Sequence, residues 1–134
     1  YEFITADDIF AYQYCPFASS PFVKVIMSYD AEKQSYLPSS PNFPQEYVED
    51  IFRDTKNAER VSKAEIYENG EWDETSKCSI LPLSLDYIYL GDLATARSEL
   101  ERLYIYDDID DFWDEVMFIL QDSLLYVEKG IEEK

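Results

Sequence analysis

The sequence predicts an α+β domain: a small, mostly antiparallel sheet with three or four helices packed on it and an acidic amphipathic helix near the C-terminus. Three observations carry this. Residues 22–29 are a β-branched and aromatic run suited to a central strand. Asn69-Gly70 lies between the alternating segments 65–68 and 71–73. An Asn-Gly pair there is a strong hairpin cue, because both turn positions need positive φ. Ile109, Phe112, Trp113, Val116, Ile119, Leu120, Leu124 and Val127 recur at intervals of three and four, the period of a helix with one apolar face.

The other elements follow in order. Thr5 and Asp8 form a relaxed capping box, so a helix is expected from there to about Tyr14, ended by Pro16. After the central strand, residues 30–33 turn the chain into a short return strand at 34–37. Pro38, Pro41 and Pro44 stiffen the next loop. Pro44 suits the first turn of a helix over about 44–54, with Tyr47, Val48, Ile51 and Phe52 on one apolar face. Residues 79–83 and 85–90 read as one or two further strands interrupted by Pro82. Asp92 caps a helix bearing Leu93, Ala96, Leu100 and Leu103, although 100–106 also suits a strand. Asp107 or Asp108 starts the last helix, and Gly130 fits its end.

A chain of 134 residues suits a single domain over 1–134. Its 29 Asp and Glu against 11 Lys and Arg leave a formal charge of −18, which alone would favour disorder. Twelve Tyr, eight Phe and two Trp supply enough bulk to build a core instead. The absence of His removes His-based catalytic triads and His-containing zinc sites. The charge disfavours direct contact with nucleic acid or anionic lipid, and no apolar run approaches the roughly 20 residues of a membrane span. No signal peptide is visible, though a chain opening at Tyr1 without Met leaves its true start open. Cys15 and Cys78 are expected to be free, reduced and partly buried, as in a cytoplasmic protein, with one disulfide as the alternative. The Asp-rich stretch 107–115 fails the calcium-loop template, since Ile109 and Phe112 stand where Asp and Gly are required. No phosphate loop or nucleophile elbow is present. No catalytic residue, metal or cofactor is expected.

The acidity is unevenly placed. Residues 17–45 are neutral, whereas residues 103–128 hold eight carboxylates and no base. Carboxylates in the first turn of the last helix face the positive end of its dipole. Asp114, Glu115 and Asp122 have no such local reason, and with Asp107 and Asp111 they fall near one helical face opposite Trp113, Val116 and Leu120. An ordinary solvated face mixes both signs. Asp107, Asp108, Asp110, Asp111, Asp114, Glu115 and Asp122 are therefore the candidate partner-binding residues, joined by Glu68, Glu71, Asp73 and Glu74 of the expected hairpin. A compact domain of this length is roughly 35 Å across. Eighteen charges correspond to about 30 Å of duplex DNA, so charge and length are DNA-like together.

Ile88-Tyr89-Leu90-Gly91-Asp92-Leu93-Ala94, then Leu100, Ile105 and the run from Asp107 to Val116, resembles the opening module of ArdA-type antirestriction proteins over about 30 residues. Arg97-Ser98-Glu99 and Arg102 stand where that family has an Asn-Gly turn. The resemblance implies a strand, a turn, a second strand and an acidic helix, in a protein that imitates DNA in the groove of restriction enzymes. Charge and resemblance together lead to the expectation of a non-enzymatic inhibitor. It would occupy the basic groove of a nucleic-acid-binding protein, such as a restriction or CRISPR nuclease, a repair glycosylase or a polymerase subunit. The rival expectation is an acidic interaction or immunity-type module for one basic partner, without mimicry. A small enzyme using carboxylates and tyrosines comes third. The oligomeric state is open, a homodimer included.

Overall fold

The computed structural model describes residues 2–7, 9, 23–68, 73–123 and 126, without side chains at 63–68 and 73–76. Strands β1 (Glu2–Asp7), β2 (Val23–Asp30) and β3 (Ser35–Pro38) form an antiparallel sheet in the order β1-β2-β3. Two short 3-10 turns, Ser40–Asn42 and Pro44–Tyr47, lead into helices α1 (Val48–Glu68), α2 (Asp73–Tyr89), α3 (Leu93–Leu103) and α4 (Ile109–Leu120). The fold is α+β, as the sequence predicts; β2 and β3 lie where strands are expected, and β1 takes the place of the strands expected at 65–73 and 79–90.

The central strand lies where the sequence puts it. Val25 and Ile26 point to opposite faces, yet both are almost fully buried, so β2 is covered on both sides. The Asp30 carboxylate accepts hydrogen bonds from the backbone N–H groups of Glu32 (2.9 Å) and Lys33 (3.1 Å), which fixes the turn into β3. Beyond β3, the Ser39 N–H donates to the Ile26 carbonyl and the Ile26 N–H donates to the Ser40 hydroxyl. Tyr47, fully buried, donates its hydroxyl to the Lys24 carbonyl and shares a 2.8 Å hydrogen bond with Ser40.

Three expectations are corrected. Residues 2–7 are strand, not the start of a helix: Ile4 and Thr5 pair with Ile26 and Val25, and a full ladder outweighs one marginal cap. The segments flanking Asn69-Gly70 are helical, not a hairpin, because the pair separates α1 from α2; residues 69–72 themselves lie outside the described residues. Asn and Gly end helices as readily as they turn strands. Residues 79–83 and 85–89 are also helix, despite Pro82. Ile80, Leu81, Leu83, Leu85, Ile88 and Tyr89 are all buried, so α2 is enclosed nearly all round. An all-apolar helix and a buried strand look alike by periodicity. α2 is thus the centre of the domain, packed on α1, α3 and β2.

The rest of the helical half follows its local signals. Gly91 has φ of 84° and ends α2 in a Schellman arrangement, with the Asp92 N–H on the Tyr87 carbonyl and the Gly91 N–H on Ile88. Asp92 then caps α3 through the Thr95 N–H at 3.1 Å. Residues 88–103 therefore run helix–turn–helix and not the strand–turn–strand that the family resemblance implies. The expected face at 44–54 is rotated as well: Tyr47 is buried and Ile51 half-buried, while Val48 and Phe52 are exposed. Helix α4 stops at Leu120, short of the expected end at Gly130, which lies outside the described residues. Ser123 follows it and donates to the buried Asp7 carboxylate, which also accepts the Tyr89 hydroxyl at 2.6 Å. That carboxylate ties β1, α2 and the end of α4 together.

Cys78 on α2 is disulfide-bonded, against the expectation of a free thiol. The sequence has one other cysteine, Cys15, which lies outside the described residues. Reduction of the native protein should add two hydrogens to its mass; no mass change would contradict the bond. Among the described residues no helix is long and apolar enough to cross a membrane.

A second prediction follows from the contact of α1 with α2. Asp86 of α2 is 5% exposed, and its Oδ2 meets no donor among the described residues. Burial holds its carboxyl far above the ordinary carboxylate range, helped by a hydrogen bond to Asp54 and by the charges of Asp54 and Asp50, with Arg53 opposing. Asp86 is therefore a carboxylic acid that donates to Asp54. The folded chain keeps this proton and the unfolded chain releases it above about pH 4. Stability contributed by the pair is complete below that pH and falls as pH rises, by up to about 1.4 kcal/mol per unit. Between about pH 6 and 9 the chain has no His to titrate. Chemical denaturation across that window should show a falling stability in the wild type. Asp86→Asn retains a donor toward Asp54 and should flatten the slope; an unchanged slope would show that the proton sits elsewhere.

Candidate functional site

The candidate site is the solvent side of α4 and the turn before it. Ile109, Phe112, Val116 and Leu120 form the apolar stripe, with Phe112, Val116 and Leu120 buried and Ile109 packed at the edge. Trp113, expected to be buried, is half-buried, and the Arg97 guanidinium lies over its ring at 5.7 Å. With that stripe held on the core, helical periodicity turns Asp111, Asp114 and Glu115 outward, and all three are exposed. Asp107 before the helix and Asp122 after it are exposed as well.

The candidate carboxylates divide into two groups. Asp108 and Asp110 are engaged within the domain. Asp108 stands at the N-cap position, yet its side chain makes no cap hydrogen bond. It accepts the buried Tyr104 hydroxyl at 2.6 Å and the Lys77 ammonium at 3.3 Å. Those two donors, Tyr104 first, hold its carboxyl below the ordinary range against a smaller cost of burial. Asp110 is paired with Arg97, which also holds Glu101 at 3.0 Å. By contrast, Asp107, Asp111, Asp114 and Asp122 form no ion pair among the described residues. The nearby bases Lys77, Arg97 and Arg102 are all committed to other carboxylates.

The second cluster of candidates is not a hairpin. Glu68 ends α1, Asp73 and Glu74 begin α2, and Glu71 lies outside the described residues. The backbone still brings part of it close: Lys77, one turn beyond Asp73, reaches Asp108, so the start of α2 lies beside the start of α4.

Sequence reasoning missed one residue here. Phe118 is 69% exposed, the most exposed large apolar side chain among the described residues. It is three residues from Glu115 and four from Asp114 and Asp122, so it stands amid the carboxylates. Projecting the helix would have shown it, since it falls on the acidic side of the wheel and off the apolar stripe.

A second carboxylate cluster, Asp50, Asp54 and Asp86, lies inside the fold with Lys24 and Arg53. Asp86 is buried and Asp50 and Asp54 are largely covered, while Arg53 reaches solvent. Among the described residues no group of His, Cys, Asp and Glu is arranged to hold a metal ion.

Because the Tyr104 hydroxyl is the main cause of the low Asp108 pKa, Tyr104→Phe should raise the Asp108 titration midpoint measured by carboxyl NMR. A midpoint unmoved at Asp108 would detach that carboxylate from Tyr104. No protein-family model, curated protein or solved structure matches this chain.

Proposed function

We propose that this protein is a non-enzymatic inhibitor that offers the acidic face of α4 to the basic groove of a nucleic-acid-binding enzyme, in place of DNA or RNA. The observation that carries the reading is the set Asp107, Asp111, Asp114, Glu115 and Asp122, exposed together on one side of a rigidly seated helix. Four-residue spacing sets Asp111 and Glu115 about 6 Å apart along the axis, comparable with successive phosphates on one strand. Carboxylates so placed suit Arg and Lys that would otherwise hold a phosphate backbone. The local resemblance to ArdA-type proteins is limited to the acidic helix, which corresponds to α4, because residues 88–103 do not form the strands it implies. Asp108 and Asp110 would shape the surface through Tyr104, Lys77 and Arg97 more than they meet the partner.

One observation favours the rival reading, an acidic interaction or immunity-type module without mimicry. Phe118 sits amid the carboxylates, and a phosphate backbone offers no equivalent. An exposed aromatic in a charged ring is a typical protein–protein anchor. The two readings differ in competition. Targets captured by a mimic should be released by short duplex DNA or RNA; those of a plain interaction module should stay bound. A cytoplasmic location follows from the target class, and the Cys78 disulfide weighs against it, since cytoplasmic thiols are kept reduced.

The charge basis is tested by replacing Asp111 and Asp114 with Asn and Glu115 with Gln together. Steering acts mainly on association, and exposed charges are screened beyond about 8 Å at physiological salt. The on-rate for a captured target should fall several-fold and its salt dependence should flatten, with the melting temperature unchanged or higher because like charges are removed. A folded triple variant that binds as fast as the wild type at low salt would move the binding surface off α4.

A further inference from the structure

Exposed bases are scarce on this protein, and two of them share one face of α1. Lys56 and Arg60 have no carboxylate partner among the described residues, although the chain has 29 acids. Lys56 lies 4.2 Å above the Phe52 ring, and Arg60 donates to Asn57 at 2.7 Å. Phe52 is 62% exposed, and Val48, one turn before it, is exposed too. Phe52, Arg53, Lys56, Asn57 and Arg60 line a shallow depression of about 450 Å³. This face is the chemical complement of α4, where an exposed aromatic stands among exposed acids, of which Asp111, Asp114 and Asp122 form no ion pair among the described residues.

The two faces also match in spacing. On α4, moving from Phe118 toward the N-terminus, Asp114 lies about 6 Å away along the axis and Asp111 about 10 Å. On α1, moving from Phe52 toward the C-terminus, Lys56 lies about 6 Å away and Arg60 about 12 Å. Antiparallel docking sets Phe118 beside Phe52, Asp114 and Glu115 against Lys56, and Asp111 against Arg60. Antiparallel helices also oppose their dipoles favourably. Parallel docking with the aromatics together would set only Asp122 against Lys56 and leave Asp111, Asp114 and Arg60 unmatched.

We propose that the basic face of α1 is a docking site for a second copy of this chain, which seats the acidic face of its α4 there. The contact stands whether or not the target of α4 is a nucleic-acid enzyme. It is heterologous, one face against a different face, so two copies either close reciprocally or continue into a short chain. One helix face on another is smaller than the roughly 800 Å² per partner of a stable complex, so the association is weak. Its salt dependence is distinctive. At low salt the −18 charge of each copy repels the other. At about 0.1 M the long-range repulsion is screened within about 10 Å while paired charges in contact persist, and at about 1 M the pairs are weakened as well.

Sedimentation velocity of the full chain, up to millimolar protein, tests this. At about 0.1 M salt the average mass should rise with concentration from the 15.8 kDa monomer, and at about 1 M it should fall back. Lys56→Glu with Arg60→Glu, and separately Asp111→Lys with Asp114→Lys, should each weaken self-association by about tenfold or more. Mixing the two variants should restore it, because each then offers a face complementary to one on the other. Circular dichroism checks that both are folded; Phe52→Ala and Phe118→Ala, which leave the charge unchanged, should each weaken association if a charge variant does not fold. A wild type that stays monomeric, variants that still associate, loss in one variant only, or a mixture that fails to associate would each overturn the proposal. So would a monomeric wild type whose α1 face binds a short DNA duplex and loses it in the Lys56→Glu, Arg60→Glu variant.

Discussion

Eleven bases must serve 29 carboxylates, and the placement of those few bases organises the charge of this structure. Lys24 and Arg53 hold Asp50 and Asp54 where α1 crosses the sheet and α2. Lys77 holds Asp108 at the start of α4. Arg97 ties Glu101 of α3 to Asp110 of α4, and Arg102 ties Glu99 to Glu59 of α1. Four of these eight pairs join different elements, and the other four lie within α1 or α3. Each exposed pair contributes little by itself, but repulsion between elements would be uncompensated without them. Asp107, Asp111, Asp114 and Asp122 are left without an ion pair among the described residues as a consequence, and the same distribution leaves Lys56 and Arg60 together on α1.

Carboxylates inside the fold are managed differently. A buried ionised group is costly unless it is paired or hydrogen-bonded. Asp7 is satisfied by the Tyr89 and Ser123 hydroxyls and the Ile9 N–H. The Tyr89 hydroxyl is in turn held well above the usual phenol range, by burial first and by Asp7 next, so it remains a donor. Asp86 has no such donors and keeps its own proton, which it shares with Asp54.

These internal constraints give α4 its rigidity. Phe112, Val116 and Leu120 seat it on the core, Tyr104 and Lys77 fix its entry, and Ser123 fixes the chain just past its end. A surface held at both ends presents its charges in a constant arrangement, so little order has to be gained on binding. This is what a basic groove shaped for a stiff polyanion would require of a protein ligand.

The sequence by itself determined the fold class, the strand at β2, the return strand, the Asp92 cap of α3 and the outward face of α4. Each rests on a local rule: β-branched residues in a run, Asp at a helix N-cap, and 3.6-residue periodicity. Only the tertiary structure decided the rest. Residues 2–7 became strand because β2 offered a partner. Residues 79–89 became helix because three neighbours enclose them on nearly every side, which erases the polar stripe by which a helix is read. Asp108 and Asp110 carry ion pairs because Lys77 and Arg97 arrive from other elements, 31 and 13 residues away in the sequence. Charge pairing depends on distance in space and a helical face depends on spacing in sequence, so the face was legible and its partners were not.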